Sequence, residues 1–386
     1  MKRIYLTSLI SVMLSPSAYA AGSEYNPAMS LILDGRYSDY SHDPASYTLP
    51  GFQPGTETGL APAGFAIGES EITLSSNVDQ DFTGQATVSF SDGASSVEEA
   101  YVQTVALGDG VTLKFGRFLS AFGYLNSHHA HAWDFADAPL MYRALFGDTL
   151  KDDGLQFNYI LPTNLLMQFT AEALSGNAFP GGGNTAGGIG ASTINFNVGG
   201  DIGVSQSWQA GVSHWQDNNI VDRTDANNNS FSGNSKINAV NAIYKWAPDG
   251  NKLEQNFKLQ MEYFKRSEDG SVLDTTSSNT SSYSGEQSGW YAQAIYQFMH
   301  SWSTGVRFDQ LSSNNSGNNT TVINSTGLAN NSHDPQRSSI MLQWEPSEFS
   351  RIRLQYNADQ SAANIDDKQI FVQYTFSLGA HGAHQY

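Results

Sequence analysis

The chain is dominated by a period of two. From 351 to 357, Ile352, Leu354 and Tyr356 alternate with Arg351, Arg353, Gln355 and Asn357, the pattern of a strand with one apolar and one wet face. Ile340, Leu342 and Trp344 repeat it, as do Phe257, Leu259, Met261 and Tyr263 against Lys258, Gln260 and Glu262, and the row Trp290, Ala292, Ala294, Tyr296 and Phe298. Marking every such run predicts sixteen strands: 29–38, 64–76, 81–91, 97–107, 111–119, 153–161, 164–174, 192–200, 206–216, 236–247, 252–266, 285–299, 301–311, 337–346, 349–358 and 368–386. The connections between them alternate. Long polar stretches such as 39–63, 120–152, 175–191, 217–235, 267–284 and 312–336 take turns with short ones such as 77–80, 108–110, 162–163, 248–251, His300 and 347–348.

Tight turns on one rim and long polar loops on the other are the two-sided signature of an outer-membrane barrel. A soluble β-sandwich or propeller does not need that rhythm, and no repeat at a propeller's period of about 40 to 45 residues is present. The fold class read from the chain is all-β: a transmembrane antiparallel barrel of about sixteen strands in one domain, 21–386.

The N-terminus fits this compartment. Lys2 and Arg3, an apolar core from Ile4 to Leu14, and Ala18-Tyr19-Ala20 predict a secretory signal peptide over 1–20, cleaved near Ala20. That apolar core is too short to span about 30 Å of hydrocarbon, and no later run is long enough for a membrane helix. A membrane protein with this sequence crosses with strands.

Composition narrows the partners. The 386 residues are 15% charged and 39% hydrophobic, with 19 Lys+Arg against 37 Asp+Glu and no cysteine. Cleavage after Ala20 takes the formal charge from -18 to -20. This acidity excludes nucleic acid as a partner. The absence of cysteine removes disulfide scaffolds, thiolate metal sites and thiol nucleophiles. No G-x-S-x-G or H-E-x-x-H occurs, and the adjacent pairs Ser213-His214 and His300-Ser301 point to opposite faces of a strand, so no enzyme is expected. Glu98-Glu99 reads as a solvated charge pair near a rim. Tyr40, Trp133, Trp208, Trp246, Trp302 and Trp344 suit interfacial aromatic girdles.

The last strand keeps its parity through Val372, Tyr374, Phe376 and Leu378 to a terminal Tyr386. With the strand at Lys114-Phe115-Gly116-Arg117-Phe118 and the long connection that follows it, the chain resembles the Gram-negative porin superfamily of sixteen-stranded channels, including the phosphate-selective porin O and P group. Its closing 377–384 is also similar to barrels labelled zinc-regulated outer-membrane receptors; residues 21–63 are too few for a receptor's plug domain. The resemblance implies that the loop after the fifth strand, 120–152, folds inward and narrows the pore. It implies a homotrimer in contact with outer-membrane lipid and lipopolysaccharide. It also implies that Phe376, Leu378 and Tyr386 form the signal read by the barrel-assembly machinery. Only 17 basic residues remain in the mature chain, which argues against a phosphate ladder.

Within that loop, 126–137 concentrates chemistry. His128, His129 and His131 precede Asp134 and Asp137. Imidazole and carboxylate are ligands for Zn²⁺ and other divalent cations, so His128, His129, His131 and Asp134 are a candidate transient metal site with no resident cofactor; the alternative is a polar constriction without metal. Leu140, Met141, Leu145 and Phe146 have helical spacing and predict a short helix against the wall. Arg143 with Asp134, Asp137 and Asp148, opposed by the wall cations Lys114, Arg351 and Arg353, would set a transverse field, with Arg307 on the same polar row. Arg117 falls on the apolar parity of its strand, and the sequence leaves open whether a bulge turns it inward. The function read from the chain is passive diffusion of small hydrophilic solutes with a cation preference. A divalent-metal uptake channel and a non-conducting adhesive or structural barrel are the alternatives.

Overall fold

In a computed structural model of the chain, described for residues 27–53, 59–91, 94–183, 188–225 and 229–379, the alternating runs form one closed antiparallel sheet. The strands, in chain order, are β1 (Ala28–Tyr40), β2 in two segments (Gly64–Ile67 and Ser70–Asn77), β3 (Phe82–Ser91), β4 (Ala94–Thr104), β5 (Val111–Leu119), β6 (Lys151–Ile160), β7 (Leu166–Leu174), β8 (Ala191–Ile202), β9 (Gln206–Thr224), β10 (Ser230–Trp246), β11 (Asn256–Asp274), β12 (Asn279–Met299), β13 (Trp302–Ser316), β14 (Gln336–Ser347), β15 (Ser350–Gln360) and β16 (Asp367–Gly379). Each pairs with the next, and β1 closes the ring against β16, from Ser30 opposite Gly379 to Tyr40 opposite Gln369. Closure leaves no sheet edge unpaired, which lipid requires.

The sixteen strands correspond one to one with the sixteen alternating runs. The largest discrepancies lie at the outer ends. β11 and β12 continue to Asp274 and from Asn279, so most of the predicted loop 267–284 is a hydrogen-bonded hairpin. Outside the membrane both faces of a strand are polar, and the ladder persists where the alternation stops. β9 to β12 have 17 to 21 residues, whereas β3 to β7 have 9 to 11, close to the minimum for a tilted transmembrane strand.

The outward face carries exposed Val240, Val306, Ile340, Leu354, Phe376 and Leu378, as a lipid-facing band requires. Trp302 and Trp344 stack side by side with ring centroids 6.2 Å apart. Trp133 departs from the girdle assignment: it is buried inside the barrel, its indole N–H donating to the His128 carbonyl at 2.9 Å. Glu98 and Glu99 also depart from expectation. A bulge between β3 and β4, where Thr87 faces Glu99 and Val88 faces Val97, turns both carboxylates inward, and both are buried. Arg117 stays on the outward face beside Asp153, with Nε to Oδ1 at 2.8 Å. The segment 1–20, expected to be a signal peptide, and Tyr386 lie outside the described residues.

Candidate functional site: a loop across the lumen

The segment between β5 and β6 enters the barrel and crosses it. Its first turn is held by glutamates on the wall. Glu172 of β7 accepts from Ser120 Oγ at 2.5 Å and Ala121 N at 2.8 Å, and Glu262 of β11 accepts from Tyr124 N at 2.8 Å and Leu125 N at 3.1 Å. Gly123 allows this approach, because its φ is +71° and a Cβ there would stand 2.6 Å from a Glu262 oxygen. The helix α1 (Leu140–Phe146) closes the crossing, ended by Gly147 in the left-handed conformation. Its N-terminus docks where Leu140 N donates to Asp309 at 2.9 Å.

An apolar core fills the lumen around α1. Phe122, Leu125, Met141, Tyr142, Leu145 and Phe146 pack against Trp215, Ile237, Phe264, Tyr291 and Leu311, which the wall of β9 to β13 turns inward. The rings of Phe122, Tyr142 and Phe146 each meet Phe264 at 5.0 to 5.6 Å. At this level the sheet is apolar on both parities, as in Tyr263-Phe264 and Trp290-Tyr291, and that break in alternation is the sequence signal for where the loop docks.

The predicted site residues divide into separate groups. Asp137 accepts from Arg307 and Arg337, each at 2.8 Å, and from Gln355 and Asn357. Burial disfavours its charge, but Arg337 and Arg307 hold the carboxyl well below its usual range. Asp134 pairs with Lys258 of β11 at 2.6 Å. Arg351 and Arg353 face inward and donate to the loop carbonyls of His131 and Trp133 at 2.6 and 2.8 Å. Arg36 of β1 does the same to Ala136 O. Arg143 lies 3.6 Å from Asp148, with its guanidinium over the Tyr47 ring at 5.0 Å, and donates to Gly59 O. Arg143 stays within the electrostatic field of Asp137, but the direct ion pairs of these four residues are separate: Asp134 with Lys258, Asp137 with Arg307 and Arg337, and Arg143 with Asp148. Lys114 faces the lumen with Nζ 4.3 Å from the Tyr101 ring.

The histidines also separate. His128 turns back onto its own turn, Nδ1 3.1 Å from Tyr124 O, and burial together with Lys258 and Lys245 pushes its pKa down to about 4. His129 and His131 instead reach the short wall. His129 lies 3.4 Å from Glu71 and 3.0 Å from Glu99, and His131 is 3.2 Å from Glu71. Glu71, Glu172, Glu262 and Arg337 were not singled out from sequence, and Glu99 was read only as a solvated charge near a rim, although each charge sits on the lumen face of its strand. The four proposed metal ligands do not converge, because His128 and Asp134 are engaged elsewhere. Among the described residues no three His, Cys, Asp or Glu side chains are placed to share a metal ion.

Above this layer the mouth is also ordered. Gln53, from the first outer loop, donates to Arg223 O and Asn229 O, both at 3.1 Å, and accepts from the Arg223 guanidinium at 2.9 and 3.0 Å. A second apolar cluster, including Ile220, Phe231, Val272 and Tyr283, packs against Val322 and Ile323 of α2 (Thr320–Ser325).

No family model matches the chain. A curated relative, an uncharacterized protein of Aquifex aeolicus (strain VF5), is 29% identical over 352 residues, covering 84% of this chain and 70% of its own. Among solved structures, the trimer form of OmpT, an outer membrane protein of Vibrio cholerae, superposes with a TM-score of 0.55 at 10% identity, over 91% of this chain and 99% of its own. The outer membrane channel DcaP of Acinetobacter baumannii gives 0.55 at 14% identity, over 92% and 96%. OmpF of Salmonella typhi gives 0.54 at 12% identity, over 92% and 99%. Identities this low carry the fold and nothing finer: the chain has the sixteen-stranded barrel fold of the Gram-negative outer-membrane porins.

Proposed function

We propose that the chain is an outer-membrane channel through which small hydrophilic solutes diffuse passively, with a preference for cations. The observation that carries this reading is the loop 120–150, which enters a barrel whose outer face is apolar and lies across its lumen. A loop in that position sets the size limit, and the groups on its edges set selectivity. The cation preference is supported by the formal charge of -18 and by the carboxylates Glu71, Glu98 and Glu99 near one edge of the loop.

A homotrimer is part of the proposal, supported by the trimer form of the Vibrio protein. So are contact with lipopolysaccharide and recognition of Phe376, Leu378 and Tyr386 by the barrel-assembly machinery. The test is reconstitution of the full chain in planar bilayers under a salt gradient. Stepwise conductance with a reversal potential of cationic sign is expected; barrels inserted without conductance would overturn the reading.

A further inference from the structure

Most of the loop's perimeter is sealed by contacts that do not open easily. On the side of β9 to β13 the seal is an apolar core, and toward β13 to β15 it is Asp137 between two arginines. Toward β7 and β11 it is the pair Glu172 and Glu262, whose oxygens accept loop N–H and O–H groups. The edge facing β2 to β5 is built differently. There the loop touches the wall through His129 and His131 on Glu71 and Glu99, and the two imidazoles stack 5.8 Å apart, 14° from parallel.

The hydrogen-bond chemistry of this seam defines its charge. Both ring nitrogens of His129 face carboxylates, Nδ1 toward Glu71 and Nε2 toward Glu99. A neutral imidazole has one N–H and one lone pair, and a lone pair against a carboxylate is repulsive. The ring therefore sits there as an imidazolium, a cation held between two carboxylates on the end of a loop. Its side chain is 19% exposed, against 0 to 1% for Arg307 and Arg337 at the opposite edge. Glu98 is taken by Lys151 at 2.6 Å. Glu69, between the two segments of β2, lies beside Glu71 and Glu98, where burial next to like charges disfavours its ionised form. On the far side of the seam Lys114 stands over Tyr101 next to Glu99.

From this we infer that cations cross the loop along the seam between 128–131 and the β2–β4 wall, and that Glu71 and Glu99 are the specificity-determining groups, exchanging the His129 imidazolium for the passing cation. The inference rests on the channel reading and names the route and solute class within it. A small monovalent cation or a primary ammonium replaces the imidazolium like for like, with each carboxylate keeping a positive partner. An anion entering the same seam meets Glu71 and Glu99 with no compensating exchange.

The test uses the full chain in planar bilayers under a KCl gradient, with insertion and folding verified by heat-modifiable mobility on gels. Glu71→Gln combined with Glu99→Gln is expected to lower the potassium-to-chloride permeability ratio severalfold. Glu99→Gln alone, which leaves the Glu71 contacts with His129 and His131 in place, is expected to lower it by a smaller factor and keeps the test open if the double variant does not fold. His129→Gln is expected to raise conductance while retaining cation preference. A folded double variant, or a folded Glu99→Gln, with an unchanged ratio overturns the seam as the route. A wild-type barrel that inserts and does not conduct overturns the channel reading itself, a separate outcome.

Discussion

Asp137 and Arg337 meet 2.8 Å apart inside the barrel although 200 residues separate them in the chain. Asp137 also takes Arg307, while Arg307 and Arg337 share Asp309 on the wall at 3.0 and 3.6 Å. One loop carboxylate thus completes a buried network of two guanidiniums and two carboxylates. Removing it leaves two buried cations against a single anion.

Asp137→Ala is therefore expected to release the β13–β15 edge of the loop at a cost of about 3–5 kcal/mol, the range for breaking a buried pair on one side. The barrel itself should persist, because the strand ladders are untouched. The readout is faster proteolysis within 120–150 and noisier conductance, with heat-modifiable mobility on gels retained.

Glu262→Gln tests the opposite anchor. The carboxylate accepts from Tyr124 N, Leu125 N, Tyr291 Oη at 2.6 Å and Tyr142 Oη at 3.1 Å. An amide brings N–H groups to a site where every neighbour donates, so each donor left unpaired costs about 1–3 kcal/mol. Amide hydrogen exchange of the 120–126 backbone should rise sharply, whereas exchange in the β11–β12 ladder should not.

Phe264→Ala removes the ring on which Phe122, Tyr142 and Phe146 converge. Large-to-small changes of a buried aromatic cost about 3–5 kcal/mol, and here the loss falls on loop docking. The expected result is a wider channel, seen as higher single-channel conductance and passage of larger neutral sugars in a liposome-swelling assay. Unchanged size exclusion would show that the apolar core does not hold the loop.

The seam predicts a pH dependence. His129 lies on the loop, outside the membrane-spanning strands. Burial lowers the pKa of its ring, but Glu71 and Glu99 outweigh that and raise it well above the ordinary value of about 6.5. Glu69, Glu98, Lys114, Lys151 and His131 also face the seam. A raised pKa in the folded state means that the contact's stabilisation is complete below the ordinary histidine value and fades as pH rises through the raised one. Conductance of the wild type should thus increase toward alkaline pH. His129→Gln should flatten that profile, measured between pH 5 and 10.

Arg117 provides a contrast on the outer wall. Its pair with Asp153 is exposed on both sides, a setting worth about 0–1 kcal/mol. Arg117→Gln should leave both the reversal potential and the folding of the barrel unchanged in the same bilayer and gel assays.

The barrel itself is legible in the sequence because its cause is local. A strand between lipid and water must alternate, so Ile352, Leu354 and Tyr356 on one parity and Arg353, Gln355 and Asn357 on the other fix both the strand and the faces of its side chains. Strand number, long and short connections and the loop after the fifth strand follow from the same period. The departures have physical causes of their own. The alternation ends where both faces of β11 and β12 become polar, and the bulge that turns Glu98 inward is a register event that the pattern of residue types does not encode.

The site was legible only as an inventory. The loop's histidines and aspartates stand out as a cluster in sequence, yet tertiary structure divides them. His128 goes to its own turn, His129 and His131 to Glu71 and Glu99, Asp134 to Lys258, and Asp137 to Arg307 and Arg337. Each partner comes from a different strand of a ring closed by pairing β1 with β16. Spacing along the chain determines which face a side chain occupies; which loop charge meets which wall charge depends on how sixteen strands close and where an apolar helix docks among them.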